Sequence, residues 1–290
     1  MNFTSEDIKE LRDKSGAGMM DCKKALDESK GSVEKAIEWL RKKGINTAQK
    51  KSSRSASDGL ITVLIKGIEG IIIEVNSETD FVARNEKFQI FCNNIGNTCL
   101  ENKILDIQNL PEININDSDL KVKDYLTETI SMLGENIVIK KVKYLGDENF
   151  YLQKYLHNSV NENSGKIGIL ISYSVDKNTQ EVQDFSKNIC MHIAATDPKS
   201  IDIENLDKKL IDKERSIYSD QLKSSNKPEN IIEKIVEGKI NKFYEEVCLI
   251  EQYFVMDSKI KIKDIIKNFN SESGLNFQIN KFLIFKLGQE

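Results

Sequence analysis

The chain has 290 residues but only two histidines, His157 and His192, and five cysteines, at positions 22, 92, 99, 190 and 248. An odd cysteine count with no CxxC pair and so few histidines argues against a zinc cluster. Cys92 and Cys99, seven residues apart on one helical face, fit buried thiols in a reducing cytosol. No apolar run reaches 18 residues and no apolar leader opens the chain, so a membrane span and secretion are not expected and the cytoplasm is. The phosphate-binding patterns GxxxxGKS and GxxxxGKT are missing, as is GxGxxG at a helix start, so the chain is expected to bind no nucleotide directly. GxSxG and HExxH are missing too. Neither histidine has an obvious Ser or Cys nucleophile partner in the sequence, and His192, close to Ile189 and Ile193, reads as a structural histidine. No cofactor, metal or covalent catalysis is expected.

Bulk charge narrows the partner class. Lys and Arg number 42 against 46 Asp and Glu, a formal net of -4, which excludes a strongly basic nucleic-acid binder. The distribution is uneven: residues 1–57 carry 13 basic and 9 acidic side chains, hence +4, leaving -8 for the rest. Hydrophobic residues at 39% and charged residues at 30% suit a soluble globular chain of two or three units.

Periodicity predicts an α+β fold. Residues 1–44 read as three short helices that must pack together to persist. Ser5 is expected to cap the first, Gly31-Ser32 to start the third and Gly44 to end it. Residues 45–58 read as a polar linker. Strands at 60–66 and 71–76 form a hairpin around Gly67 and Gly70. A helix follows with Phe88, Phe91, Cys92, Ile95 and Cys99 as a core stripe. A second helix, opened by Ser118, carries Val122, Leu126, Ile130 and Leu133 and stops at Gly134. After a strand at 137–144 the theme recurs, with strands at 150–157 and 166–175 and a helix bearing Val182, Phe185, Ile189 and Ile193. This gives a core of two related subdomains with antiparallel sheets, 59–145 and 146–203 with 251–290. Residues 204–250 read as an antiparallel helical hairpin, with a turn at 224–228.

The most informative run is Thr79-Asp80-Phe81-Val82, at the corner between a strand and a helix. Two readings stand for it. Asp80 caps the helix and Phe81 closes the core beneath it, or Phe81 is a surface anchor for a partner. Met19 and Met20 are likewise either adaptable exposed contacts or fillers of a small core.

The run Thr79-Asp80-Phe81-Val82-Ala83-Arg84 resembles the signature of the bacterial elongation factor Ts family. Three further stretches match the same family in order: residues 10–12 through 16–26, then Gly134-Glu135-Asn136-Ile137, then Met191-His192-Ile193-Ala194-Ala195. The resemblance implies an N-terminal three-helix bundle like a ubiquitin-associated module. It implies a non-enzymatic guanine-nucleotide exchange factor for elongation factor Tu, binding Tu both with GDP and without nucleotide, with a higher-order complex also admitted. In that picture Phe81 is a wedge near the magnesium site of Tu, Asp80 orients the corner, and Thr79 and Val82 fix its backbone and underside. Further contacts implied are Met19, Met20, His157, Ile167 and Gly168. The chain departs from the family pattern at His157-Asn158, where an Asn/Ser-rich loop follows, and at Tyr253, where relatives have Pro. An adaptor built on the helical bundle and a hydrolase with an unrecognised site are the competing readings.

Overall fold

The computed structural model describes residues 3–116, 118–223 and 228–289, with only the backbone of Lys223. Its first three helices are α1 (Ser5–Ser15), α2 (Met19–Glu28) and α3 (Val33–Lys51). Leu11, Cys22, Ala25, Leu26 and Ala36 form their shared buried core. The cap of α1 is Thr4, not Ser5: Thr4 Oγ1 accepts from the Asp7 N–H while Asp7 accepts from the Thr4 N–H, a reciprocal capping box. Ser32 caps α3 as expected.

Gly44 does not end α3. The helix runs on to Lys51, through half of the stretch read as a linker, and Gly44 lies buried within it. A Cβ at Gly44 would stand 3.4 Å from Ser131 Cβ on α6 (Val122–Leu133). This glycine serves close helix approach rather than a left-handed stop. Arg41 pairs with Asp124 of α6 at 3.0 Å beside it, so α3 joins the N-terminal helices to the rest of the molecule.

Two sheets make the centre. In the first, β1 (Asp58–Lys66) and β2 (Glu69–Ser77) form a hairpin with Lys66 opposite Glu69 across a two-residue turn, and Gly67 supplies its positive φ of 63°. β3 (Val138–Gly146) flanks β2, and the short β5 (Ser164–Gly165) flanks β1. In the second, β6 (Ile167–Ser174) lies between β4 (Tyr151–His157) and β9 (Gln278–Lys286), all antiparallel.

The sheets pack face to face, and both are covered outside by helices. Ile61, Val63, Ile72, Leu145 and Leu170 are buried between them. On the outer face of the first sheet, Leu60, Ile71, Ile73 and Val75 pack on Phe88, Phe91, Cys92, Ile95 and Cys99 of α5 (Glu86–Glu101). On the outer face of the second, Ile169, Ile171 and Tyr173 pack on α7 (Gln180–Thr196) and α10 (Ile262–Ser273). Strands β1, β2 and β6 are therefore buried on both faces, which is why they read as continuous apolar runs without alternation.

Ser118 does not open α6. Its Oγ accepts from the Leu120 N–H in a turn, and Lys121 occupies the cap without a side-chain bond. Gly134 closes the helix in the left-handed conformation, as its sequence position suggested. Helices α8 (Lys208–Lys223) and α9 (Glu229–Val247) pair through Arg215–Glu237 at 2.8 Å and a Lys239 ammonium 4.9 Å above the Tyr218 ring. Most of their predicted turn, residues 224–227, lies outside the described residues. A 3-10 turn, Leu249–Glu251, and the small hairpin of β7 (Tyr253–Phe254) and β8 (Asp257–Lys261) lead back to α10.

Candidate functional site at the Phe81 corner

Strand β2 ends at Ser77, and one helical turn, α4 (Asp80–Ala83), follows. The turn sorts its side chains sharply: Val82 is 8% exposed and Ala83 1%, while Phe81 is 81% exposed. The expected core position under the turn is thus held by Val82, and the aromatic ring stands in water. An exposed ring on a turn anchored by its neighbours is a feature that water alone would not favour. Asp80 makes no cap. Thr79 occupies that position without a side-chain cap bond, and Asp80 pairs with Arg84 at 3.2 Å on the surface.

The corner is held from outside the turn. Thr79 donates twice to the Glu135 carboxylate, from its backbone N–H at 3.0 Å and from Oγ1 at 2.6 Å. The preceding residue returns the arrangement: Glu78 Oε1 accepts from the Asn136 N–H at 2.7 Å. That bond, with the nearby Arg54 charge, holds the Glu78 carboxyl below its ordinary range. Ser77 Oγ donates to the Thr79 carbonyl at 2.9 Å. Buried Asn136 donates from Nδ2 to the Arg54 carbonyl at 2.8 Å, and Lys51 Nζ donates to the Gly134 carbonyl. Glu78, Glu135, Asn136 and Arg54 had no assigned role in the sequence reading. The only signal was the string Gly134-Glu135-Asn136-Ile137 itself, since nothing local reveals a partner 56 residues away.

The other expected contact residues fall into three places. His157 is exposed at the end of β4, opposite half-buried Ile167. Its ring Nδ1 lies 3.2 Å from the Tyr155 hydroxyl. This end of the second sheet adjoins the Phe81 end of the first. Asp58, opposite Ser77 in the β1–β2 ladder, bonds Lys166 Nζ at 2.5 Å, and the Lys166 N–H donates to the His157 carbonyl. Burial pushes the Asp58 carboxyl up, but Lys166, the Gly59 N–H and the Arg84 charge outweigh it and leave it below the ordinary range.

Met19 and Met20 are both exposed at the start of α2. They come directly after Gly18, which lines a cleft together with Asn85 and Lys87, just past the corner. Gly168 is different. It is buried between the sheets, where a Cβ would come 2.5 Å from Ile61 Cγ2 and 2.8 Å from Val63 Cγ2. Of the expected contact residues it is the one packed between the sheets, where it serves their close approach.

The Asn/Ser-rich loop after His157 folds back on this molecule. Asn161 Nδ2 donates to Gln89 on α5 at 2.8 Å, the Val63 N–H donates to the Asn163 carbonyl at 2.8 Å, and Lys154 Nζ donates to Asn163 Oδ1 at 2.6 Å. His192 is fully buried. Its Nδ1 accepts from the Val255 N–H at 3.3 Å, which leaves the proton on Nε2 to donate to Gln252 Oε1 at 2.9 Å. All five cysteines are free and buried, and burial pushes the Cys99 thiol up to about 12. Among the described residues no group of three or more His, Cys, Asp or Glu side chains is placed to hold a metal ion, and no helix is long and apolar enough to cross a membrane.

Comparison with known proteins accords with the resemblance carried by the motifs. The family described as Elongation factor TS matches residues 78–289. Elongation factor Ts of Rickettsia bellii is 41% identical over 290 residues, spanning all of this chain and 93% of that protein. The Elongation factor Ts of Bartonella bacilliformis is 40% identical over 289 residues and 94% of its own length. A match over most of the chain, with relatives this similar from end to end, places the chain in the elongation factor Ts family.

Proposed function

We propose that this chain is a nucleotide-exchange factor for elongation factor Tu in translation elongation, and that Phe81 is its wedge. The Phe81 end of the molecule docks on the nucleotide-binding domain of Tu. The ring enters beside the magnesium site and weakens the hold on GDP, so that GTP can replace it. His157 and Ile167, at the neighbouring end of the second sheet, form a second contact, and Met19 and Met20 a third. The role requires no covalent chemistry from this chain.

The observation that carries the reading is the 81% exposure of Phe81 on a turn whose next two residues are buried. Burying a Phe side chain releases about 1.5–3 kcal/mol. Spent on distorting the nucleotide site, that weakens nucleotide binding by roughly one to two orders of magnitude. Coupling of this kind is reciprocal, so GDP weakens the binding of this chain to Tu by the same factor.

Stopped-flow release of a fluorescent GDP from Tu tests the reading. Phe81→Ala is expected to lower the accelerated rate about 10- to 100-fold at saturating factor, with an unchanged thermal midpoint because the ring supports nothing in its own fold. A variant as fast as the parent would refute the wedge.

A further inference from the structure

We infer that Glu135 is a positioning residue for exchange: its carboxylate sets the direction in which Phe81 points. The inference rests on the exchange reading above and adds to it a residue 54 positions from the wedge.

Three observations carry it. First, α4 is a single turn of four residues, far too short to hold its own geometry. Second, the turn has no side-chain cap. A Thr at this position ordinarily uses its oxygen to accept from the first N–H groups of the helix. Here the Thr79 hydroxyl is instead turned outward as a donor to Glu135, at 2.6 Å, beside the backbone bond at 3.0 Å. Third, the bonding is mutual. Glu135 takes the N–H of Thr79, and Glu78 takes the N–H of Asn136. Hydrogen bonds to a charged acceptor are the strong ones, and two from one residue fix direction as well as distance.

The entry to α4 is thereby riveted to the segment leaving α6. Buried Val82 and Ala83 hold the far side of the turn. Between these two attachments Phe81 has one outward direction. Loss of the Glu135 bonds frees the entry while leaving the buried side in place, so the ring is still present but no longer aimed. A wedge must meet its target in one geometry, and misplacement by an ångström is enough to weaken such an action.

The segment is itself tied to the N-terminal helices. Lys51 at the end of α3 donates to the Gly134 carbonyl, and Asn136 holds the Arg54 carbonyl. Glu135 therefore sits where the docking of α3 on α6 reaches the wedge.

A double-mutant cycle in the full chain tests this. Maximal GDP release from Tu, the half-saturating factor concentration and the thermal midpoint are measured for the parent, Glu135→Ala, Phe81→Ala and the double variant. Glu135→Ala is expected to lower the maximal rate about tenfold. The same substitution in the Phe81→Ala background is expected to change the rate less than about twofold, since Glu135 acts through the ring. Glu135→Gln, which preserves shape and one acceptor, is expected to fall between the parent and Glu135→Ala. It also supplies the comparison if the alanine variant folds poorly. A general folding defect would instead lower the rate by the same factor in both backgrounds, and that result overturns the inference. So does a Glu135→Ala rate within twofold of the parent. If Phe81→Ala slows release while Glu135→Ala does not, the wedge stands and the positioning role falls. If Phe81→Ala has no effect, the wedge fails, and the positioning role with it, while a parent chain that does not accelerate release at all would sink the exchange reading itself.

Discussion

Gly168 shows how a single absent side chain governs the approach of two sheets. It faces Ile61, Val63 and Ile72 across the interface, and a built Cβ would lie 2.5, 2.8 and 3.2 Å from their methyl groups. Those methyls belong to β-branched side chains that are fully buried and have no free rotamer to retreat into. Gly168→Ala is expected to destabilise the fold by about 1–3 kcal/mol through overpacking. Urea unfolding should show a lower midpoint with an unchanged slope; a midpoint equal to the parent's would mean that the sheets separate freely at this point. Phe81 is the converse, a large side chain whose removal leaves the core untouched. Neither property was legible from residue type. Aromatic chemistry favours burial for Phe81, and an apolar strand hides which of its glycines meets a neighbour.

At the scale of elements, what a period could encode was legible and what a distant partner decides was not. The α5 stripe of Phe88, Phe91, Cys92, Ile95 and Cys99 predicted a buried face, and all five are buried. Gly134 predicted a stop and adopts the left-handed conformation, but Gly44 gave the same local signal and lies inside a helix. The difference is Ser131, on an element 87 residues further along. The Thr79–Glu135 pairing was invisible for the same reason. His192 illustrates a join between elements that does have a consequence in solution. It links α7 to Gln252 and Val255 around the β7–β8 hairpin, accepting at Nδ1 and donating at Nε2. Burial, only partly opposed by the Gln252 bond, pushes its pKa below the ordinary 6.5. The unfolded chain then binds a proton more readily than the folded one. The contribution is neutral above about pH 6.5, and stability is lost as pH falls through that value toward the depressed folded pKa. Glu251 and Asp197, both held below the ordinary carboxyl range, lose their contribution only at pH values below about 4.5. Urea midpoints between pH 7.5 and 5.5 should therefore fall more for the parent than for His192→Gln. Parallel curves would mean that His192 protonates equally well in both states.

Across the whole molecule, the last residues of the chain close the sandwich on the side where β3 and β9 leave it open. The Leu287 N–H donates to the Lys166 carbonyl at the start of β6, and the Gly288 N–H donates to Glu74 Oε1 in the middle of β2 at 3.1 Å. The tail thus crosses from one sheet to the other. Glu74 is fully buried, and its Oε2 accepts no hydrogen bond among the described residues. A register shift opposite Glu74 and Val75 brings the consecutive residues Lys140 and Lys141 to the same carboxylate, at 3.5 and 3.6 Å. Both lysines also donate to the Gln289 carbonyl. The buried charge is therefore tolerable because two ammonium groups, the Asn76 side-chain amide, which donates to Oε1 at 3.2 Å, and one tail N–H surround it. Deleting residues 288–290 removes that N–H and the carbonyl that gathers the lysines. It is expected to destabilise the fold by about 1–3 kcal/mol, the range for stripping a partner from a buried polar group. Glu74→Gln should be less harmful in the shortened chain than in the full one, because the carboxylate has then already lost a donor while the amide carries no charge to desolvate. Chemical unfolding of the four proteins decides it. Equal stability of full and shortened chains, or a Glu74→Gln penalty independent of the tail, would show that the strap contributes nothing and that the two lysines and Asn76 hold the charge.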